Sequence, residues 1–251
     1  MATYKKRGAK KTKISQQNPD VDKTEEVFSN LDTGASRIEN WIASYQRQIL
    51  GLIVSIVIIV LAYLGYQNLV VSPLTEEANN EIYYAQEFFE KGLTNEIDRD
   101  SLFQNALHGA NGKYGFLDII ENYSGTPAAD IATYSTGMIY LHLKEFELAI
   151  DYLEDFDSSD PILQPLALGG IGDAFAELEQ LPNALQYYEK AFSSSNNEVT
   201  YPRYLRKAGL VALSIGDKKT ASEYFSIIKD EYSDGVDATN IDALLGQASI
   251  Q

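Results

Sequence analysis

Hydrophobic residues are arranged along this chain in two ways. From Ile49 to Tyr66 they run almost unbroken, ILGLIVSIVIIVLAYLGY, with no charge between Arg47 and Glu76. Eighteen residues at about 1.5 Å each give roughly 27 Å of helix, close to the hydrocarbon thickness of a bilayer. From residue 74 onward, apolar positions recur at the three- and four-residue spacing of one helix face. That spacing predicts helices over 74–91, 99–108, 114–122, 127–143, 146–156, 162–178, 183–193, 201–215, 218–230 and 237–246. Gly92, Gly112, Gly125, Pro161, Pro182 and Gly216 punctuate the joints. No segment shows strand alternation closed by hairpin turns, so the expected fold class is all-α.

Around the apolar run the chain divides into five parts. Residues 1–35 read as a basic, largely disordered tail with a short helix over 24–32, because residues 1–23 lack apolar periodicity. Ser36 and Glu39 form a capping box, and Ile38, Trp41, Ile42 and Tyr45 follow on one face. Residues 36–48 are therefore expected as an amphipathic helix at the membrane interface, where Trp and Tyr are favoured. Residues 49–66 are the expected transmembrane signal anchor, too far from the start for a signal peptide and lacking a small-x-small cleavage site. Within it Gly51 and Ser55 form a small-x-x-x-small pair, a candidate contact with a partner helix in lipid. Residues 67–73 read as a short linker, with Ser72-Pro73 restarting the chain as cap and first helical residue. Residues 74–251 read as the exported domain.

Charge orients the span. Residues 1–48 carry nine Lys or Arg against six Asp or Glu, whereas residues 67–251 carry eleven against thirty. Arg47 sits at the membrane edge and meets no basic competitor until Lys91. By the positive-inside rule the N-terminus is expected in the cytoplasm and the acidic domain outside. A domain of net charge −19 is unsuited to phosphate backbones, so nucleic acid is not an expected partner. The basic tail could touch anionic lipid. The chain has no cysteine, so an exported domain must be held by its own core.

The helical region repeats itself. Gly137, Tyr140 and Ala149 precede Leu153 and Pro161; Gly172, Phe175 and Ala184 precede Tyr188 and Ala191; Gly209, Ala212 and Ala221 precede Phe225. Both the Gly and the Ala recur after 35 and then 37 residues. Residues 130–232 thus resemble three tetratricopeptide repeats, whose period is about 34. The usual Trp is replaced by Thr133, Leu168 and Leu205. Residues 74–129 read as a divergent repeat pair with an insertion, and 237–246 as a capping helix. The resemblance implies an α-solenoid whose first helices line a concave groove. It places Tyr134, Met138 and His142 there from the first repeat, Asp173 and Glu177 from the second, and Arg203 and Arg206 from the third. Tyr134 and Met138 could equally be core, and the charged residues simply solvated.

No catalytic chemistry is legible. His108 and His142 lack metal-ligand spacing, and Gly169-Gly170-Ile171-Gly172 sits inside a helical repeat, where close helix packing explains it. Glu154, Asp155 and Asp157 lack the spacing of a calcium loop. No cofactor, metal or enzymatic activity is expected.

The order of parts, a cytoplasmic tail, one signal anchor and an exported repeat domain, resembles the YfgM family of ancillary subunits of the bacterial SecYEG translocon. Gly115-Phe116-Leu117-Asp118-Ile119-Ile120, Tyr123-Ser124-Gly125-Thr126, Ala128-Ala129 and Gly172-Asp173-Ala174-Phe175 carry the likeness, which covers residues 45–250. The basic segment before the span is longer here than in that family. The resemblance implies a non-enzymatic adaptor in the inner membrane. Its implied partners are SecYEG, a PpiD-like membrane-anchored periplasmic chaperone and unfolded exported proteins.

Overall fold

The computed structural model describes residues 19–249, with side chains from Trp41 onward apart from Ile42. The chain divides into two units, one ending at Gly65 and one beginning at Tyr66.

The first unit is helical. Helix α1 (Pro19–Tyr66) is continuous, so residues 36–48 run straight into the apolar span and the short helix expected over 24–32 is part of the same element. Residues 1–18 of the expected disordered tail lie outside the described residues, but 19–35 are helical. Each added residue in a growing helix gains a hydrogen bond after the costly nucleus is made. Gly34 and Ser36 therefore weaken the helix without ending it. Trp41 and Tyr45 pack ring to ring at 5.5 Å. Between Leu50 and Leu64 the large apolar side chains are exposed, Ile59 by 67%. One helix among the described residues is long and apolar enough to cross a membrane, and this stretch supplies its apolar part.

The second unit opens on a π-helical turn, Gln67–Val71, that leads straight into α2 (Ser72–Thr94). The expected linker is thus helical. Ser72 N–H bonds to Gln67 O, five residues back. Pro73 has no N–H to donate, and its ring needs room beside the preceding turn; a wider turn supplies that room. Helices α3 (Arg99–His108), α4 (Phe116–Asn122), α5 (Pro127–His142), α6 (Phe146–Glu154), α7 (Leu163–Glu177), α8 (Leu181–Ser194), α9 (Tyr201–Ser214), α10 (Lys218–Glu231) and α11 (Ile241–Ser249) follow. Among the described residues there is no strand. The last helix starts later than the expected 237. A 3-10 turn at Val236–Ala238 and a left-handed Asn240, φ 61°, hold the chain out of helix until Ile241. Residues 74–129, expected as a divergent repeat pair, form the pair α2/α3 followed by the single short helix α4.

Three helix pairs, α5/α6, α7/α8 and α9/α10, share one construction. Each turn passes through a left-handed residue: Lys144, Glu179 and Gly216, at φ 62°, 59° and 86°. The next N–H then reaches back over five residues, from Glu145 to Tyr140 O at 2.9 Å, Gln180 to Phe175 O at 2.8 Å and Asp217 to Ala212 O at 2.8 Å. This closure satisfies carbonyls that a helix end leaves unpaired. Within each pair a glycine meets a large side chain sixteen residues on. A Cβ on Gly137, Gly172 or Gly209 would lie 2.5, 2.6 or 2.5 Å from Leu153, Tyr188 or Phe225. Ala149, Ala184 and Ala221 are completely buried at the equivalent crossings. The repeat in the sequence is therefore a repeat of packing.

Bonds between pairs set the stacking. Tyr187 Oη donates to Glu154, and Tyr224 Oη donates to Glu189 at 2.7 Å, linking successive second helices.

Candidate functional site

The close of α5, the turn after it and the close of α7 form one side of a cleft of about 490 Å³. Leu141, His142, Lys144 and Phe146 come from the first pair, Asp173, Ala176, Glu177 and Tyr188 from the second, and Lys207 from the third. Asp173 and Glu177 are four residues apart on α7, so one helix face carries both carboxylates into the cleft.

Asp173 is the hub. Lys207 Nζ donates to both its carboxylate oxygens, at 2.6 and 2.7 Å, and Tyr188 Oη donates to Oδ1 at 2.6 Å. The same ammonium lies 5.7 Å from the Tyr188 ring centroid and 5.8 Å from that of Tyr204. Burial, and then the Asp173 charge, push the Tyr188 and Tyr204 hydroxyls well above the usual tyrosine range. His142 stacks on Phe103 with centroids 5.4 Å apart. Although the side chain stays open to water on one side, partial desolvation first, and the Arg99 charge second, lower its imidazole pKa. Glu177 and Lys144 are exposed and, among the described residues, form no ion pair.

Three of the residues predicted for the groove meet here: His142, Asp173 and Glu177. The other four stand elsewhere. Tyr134 and Met138 pack beside the buried cluster of Leu153, Phe156, Ala167 and Ile171. The Tyr134 ring lies 5.3 Å from that of Phe156, and burial raises its hydroxyl pKa. Arg203 lines a second cleft of about 540 Å³ beside Val199, Glu231 and Asp237. Arg206 donates to the carbonyls of Asp237 and Thr239, both at 2.7 Å, which ties the 3-10 turn to α9. The third pair's cation in the cleft is Lys207 instead. The repeat spacing holds no signal for it: Asp173 follows Gly172 by one residue, whereas Lys207 precedes Gly209 by two, so the two are not equivalent positions. Tyr188 was visible only as a packing position of the second repeat.

In α1, Ser55 Oγ donates to Gly51 O at 2.8 Å. The hydroxyl is thus satisfied inside its own helix. A Cβ on Gly51 would meet nothing within 4 Å. Among the described residues no three His, Asp or Glu side chains are grouped as metal ligands.

Paired helices closed by one recurring turn and one recurring glycine contact define an α-helical repeat protein. Residues 134–162, from the second turn of α5 through α6, match the tetratricopeptide repeat. No curated protein matches the chain. Tetratricopeptide repeats bind protein partners and typically serve as scaffolds. Among the described residues, the repeat unit accompanies one helix long and apolar enough to cross a membrane.

Proposed function

We propose that the chain is a non-enzymatic, single-pass adaptor of the bacterial inner membrane that binds a protein partner through the cleft between its repeats. The N-terminus lies in the cytoplasm and the repeat unit in the periplasm, a topology supported by the basic tail, Arg47 and the acidic residues 67–251. The observation that carries the reading is the convergence of His142, Asp173, Glu177 and Lys207 from three repeats on one open cleft. Polar groups drawn from distant parts of the chain onto one recess favour recognition over packing.

The resemblance to YfgM-type subunits supports a finer reading. The partners are then SecYEG and a PpiD-like chaperone, and the adaptor holds that chaperone where unfolded exported proteins emerge. Anchoring raises the local concentration of such partners without tighter contacts. Extraction of the full chain in mild detergent, followed by affinity purification, tests this. Recovery of the channel with an isomerase-like chaperone is expected, and Glu177→Gln should reduce recovery of the chaperone. Recovery of outer-membrane assembly factors alone would overturn the translocon role and favour a general envelope scaffold.

A further inference from the structure

The cleft already holds an alkylammonium, and it is the protein's own. Lys207 Nζ rests on both oxygens of Asp173, with the faces of Tyr188 and Tyr204 beside it. A carboxylate flanked by aromatic faces is the arrangement that recognises a cation. We propose that the cleft receives a lysine or arginine side chain of the partner, and that Lys207 occupies that cation's place in the free protein. The inference rests on the cleft being the partner site.

Three observations argue for exchange. First, the internal pair is reachable: the side chains of Lys207 and Asp173 are 36% and 32% exposed. Ion pairs this open to water are weak, so an incoming cation can compete. Second, Glu177 stands one turn further along α7 in the same cleft, exposed and without an ion pair among the described residues. An incoming cation reaches a second carboxylate that Lys207 does not use. Third, residues 67–251 carry a net charge of −19, which draws cationic segments toward the surface. Lys144, on the exposed turn after α5, is the other cation lining the cleft. Partial desolvation and Arg99 lower the His142 imidazole pKa, which disfavours a further positive charge in the cleft.

The experiment uses the full chain in detergent micelles and two fluorescent peptides of equal Leu, Tyr and Ser content. One bears two lysines and the other two glutamates, and anisotropy reads binding at moderate salt. The lysine peptide should bind about tenfold tighter than the glutamate peptide. Glu177→Gln should weaken it about fivefold, and Glu223→Gln, outside the cleft, should not. Lys207→Gln should strengthen it roughly threefold, because the competitor is gone. A gain in affinity is not what loss of a structural ion pair would produce. Lys207→Met keeps the aliphatic stem against the tyrosines, and it replaces the Gln variant if that one melts early. Unchanged or weaker binding by a well-folded Lys207 variant would overturn the proposal. Equal binding of both peptides, abolished together by His142→Ala, would overturn the cation and leave the cleft as partner site. Binding of neither peptide, while the partner is still recovered from membranes, would likewise remove the cation alone.

Discussion

Gly169 of α7 lies under the ring of Tyr204 of α9 so closely that a Cβ at 169 would stand 1.9 Å from Cε1. Tyr204 is itself buried and its ring has nowhere to retreat. Gly169→Ala therefore forces apart two repeats. Overpacking of this kind costs about 1–3 kcal/mol, and in a unit of this size that lowers Tm by roughly 5 °C. Thermal melting followed by circular dichroism reads the loss. Gly51→Ala, where nothing lies within 4 Å, is the control. Equal melting of Gly169→Ala and the parent would show that α7 and α9 are less tightly apposed than this.

Tyr134 and Met138 should behave as core residues. Both pack beside Leu153, Phe156, Ala167 and Ile171. Truncating either to Ala removes buried apolar surface and leaves a void, at about 2–4 kcal/mol. His142 is exposed, and His142→Ala forfeits mainly its stacking on Phe103, about 1 kcal/mol. Urea unfolding should thus rank Tyr134→Ala far below His142→Ala. Partner recovery should reverse the emphasis, with His142→Ala impaired while still folded. A Tyr134→Ala chain as stable as the parent but unable to recover the partner would return that ring to the groove.

Arg206 should prove a fastener. Its Nη1 donates to the carbonyls of Asp237 and Thr239, holding the 3-10 turn. Hydrogen bonds from a charged donor contribute about 1.5–3 kcal/mol. Lys offers a point charge in place of a planar fork, so Arg206→Lys should recover only part of that. Limited proteolysis is the sensitive readout: Arg206→Ala should speed cleavage around residues 233–240. Cleavage at the parental rate would show that the turn is held by other contacts.

How the sequence fared depends on what each residue does. Gly137, Gly172 and Gly209, with the alanines twelve residues after each, were readable because they answer to a steric rule that recurs unchanged in every pair. The all-α class followed from the helical periodicity, and Gly112, Gly125, Pro161 and Gly216 fall between helices, whereas Gly92 lies inside α2 against Phe103 and Pro182 in the first turn of α8. Position within the solenoid was less readable. Arg203, Arg206 and Lys207 lie within five residues of α9, yet one lines the second cleft, one ties a turn and one enters the site. Four residues apart, Arg203 and Lys207 share one face of α9, so it is height along the helix that puts Arg203 beside residues 231–237 and Lys207 beside Asp173. Tyr134 and Met138 share a helix face with His142, but only His142 is late enough in α5 to pass beyond the core. The linker before α2 was missed because Ser-Pro reads as a start, while a widened turn lets the helix run through it.

The tyrosines predict an alkaline limit to stability. Tyr123 and Tyr187 are both pushed up to about 12, first by burial and then by Glu77 and Glu154 respectively. Tyr188, Tyr204 and Tyr224 are raised as well, again chiefly by burial. The folded chain holds these protons more tightly than the unfolded chain, whose tyrosines titrate near about 10. Stability from this source is complete below about pH 10 and is lost as pH rises through the folded values. Tm should be flat up to that point and fall steeply beyond it, with tyrosinate absorbance appearing together with unfolding. Tyr187→Phe should make the fall shallower. Constant Tm up to about pH 12 would show that these hydroxyls are no harder to ionise in the fold.

The apolar run in α1 makes the last prediction. Leu52, Ile56 and Ile59 are each exposed by half or more, and a helix so covered in hydrocarbon is far more stable in lipid than in water. Carbonate washing of vesicles should leave the chain in the membrane fraction, and detergent should release it. Ile56→Lys with Ile59→Lys places two charges near mid-span, each opposed by about 3 kcal/mol. That double variant should appear in the carbonate supernatant. The acidic repeat unit should be cut by protease added to spheroplasts, since Arg47 and the basic tail favour the cytoplasmic side for the N-terminus. Release of the parental chain by carbonate would remove the anchor. A protected repeat unit in intact spheroplasts would keep the anchor and invert the topology.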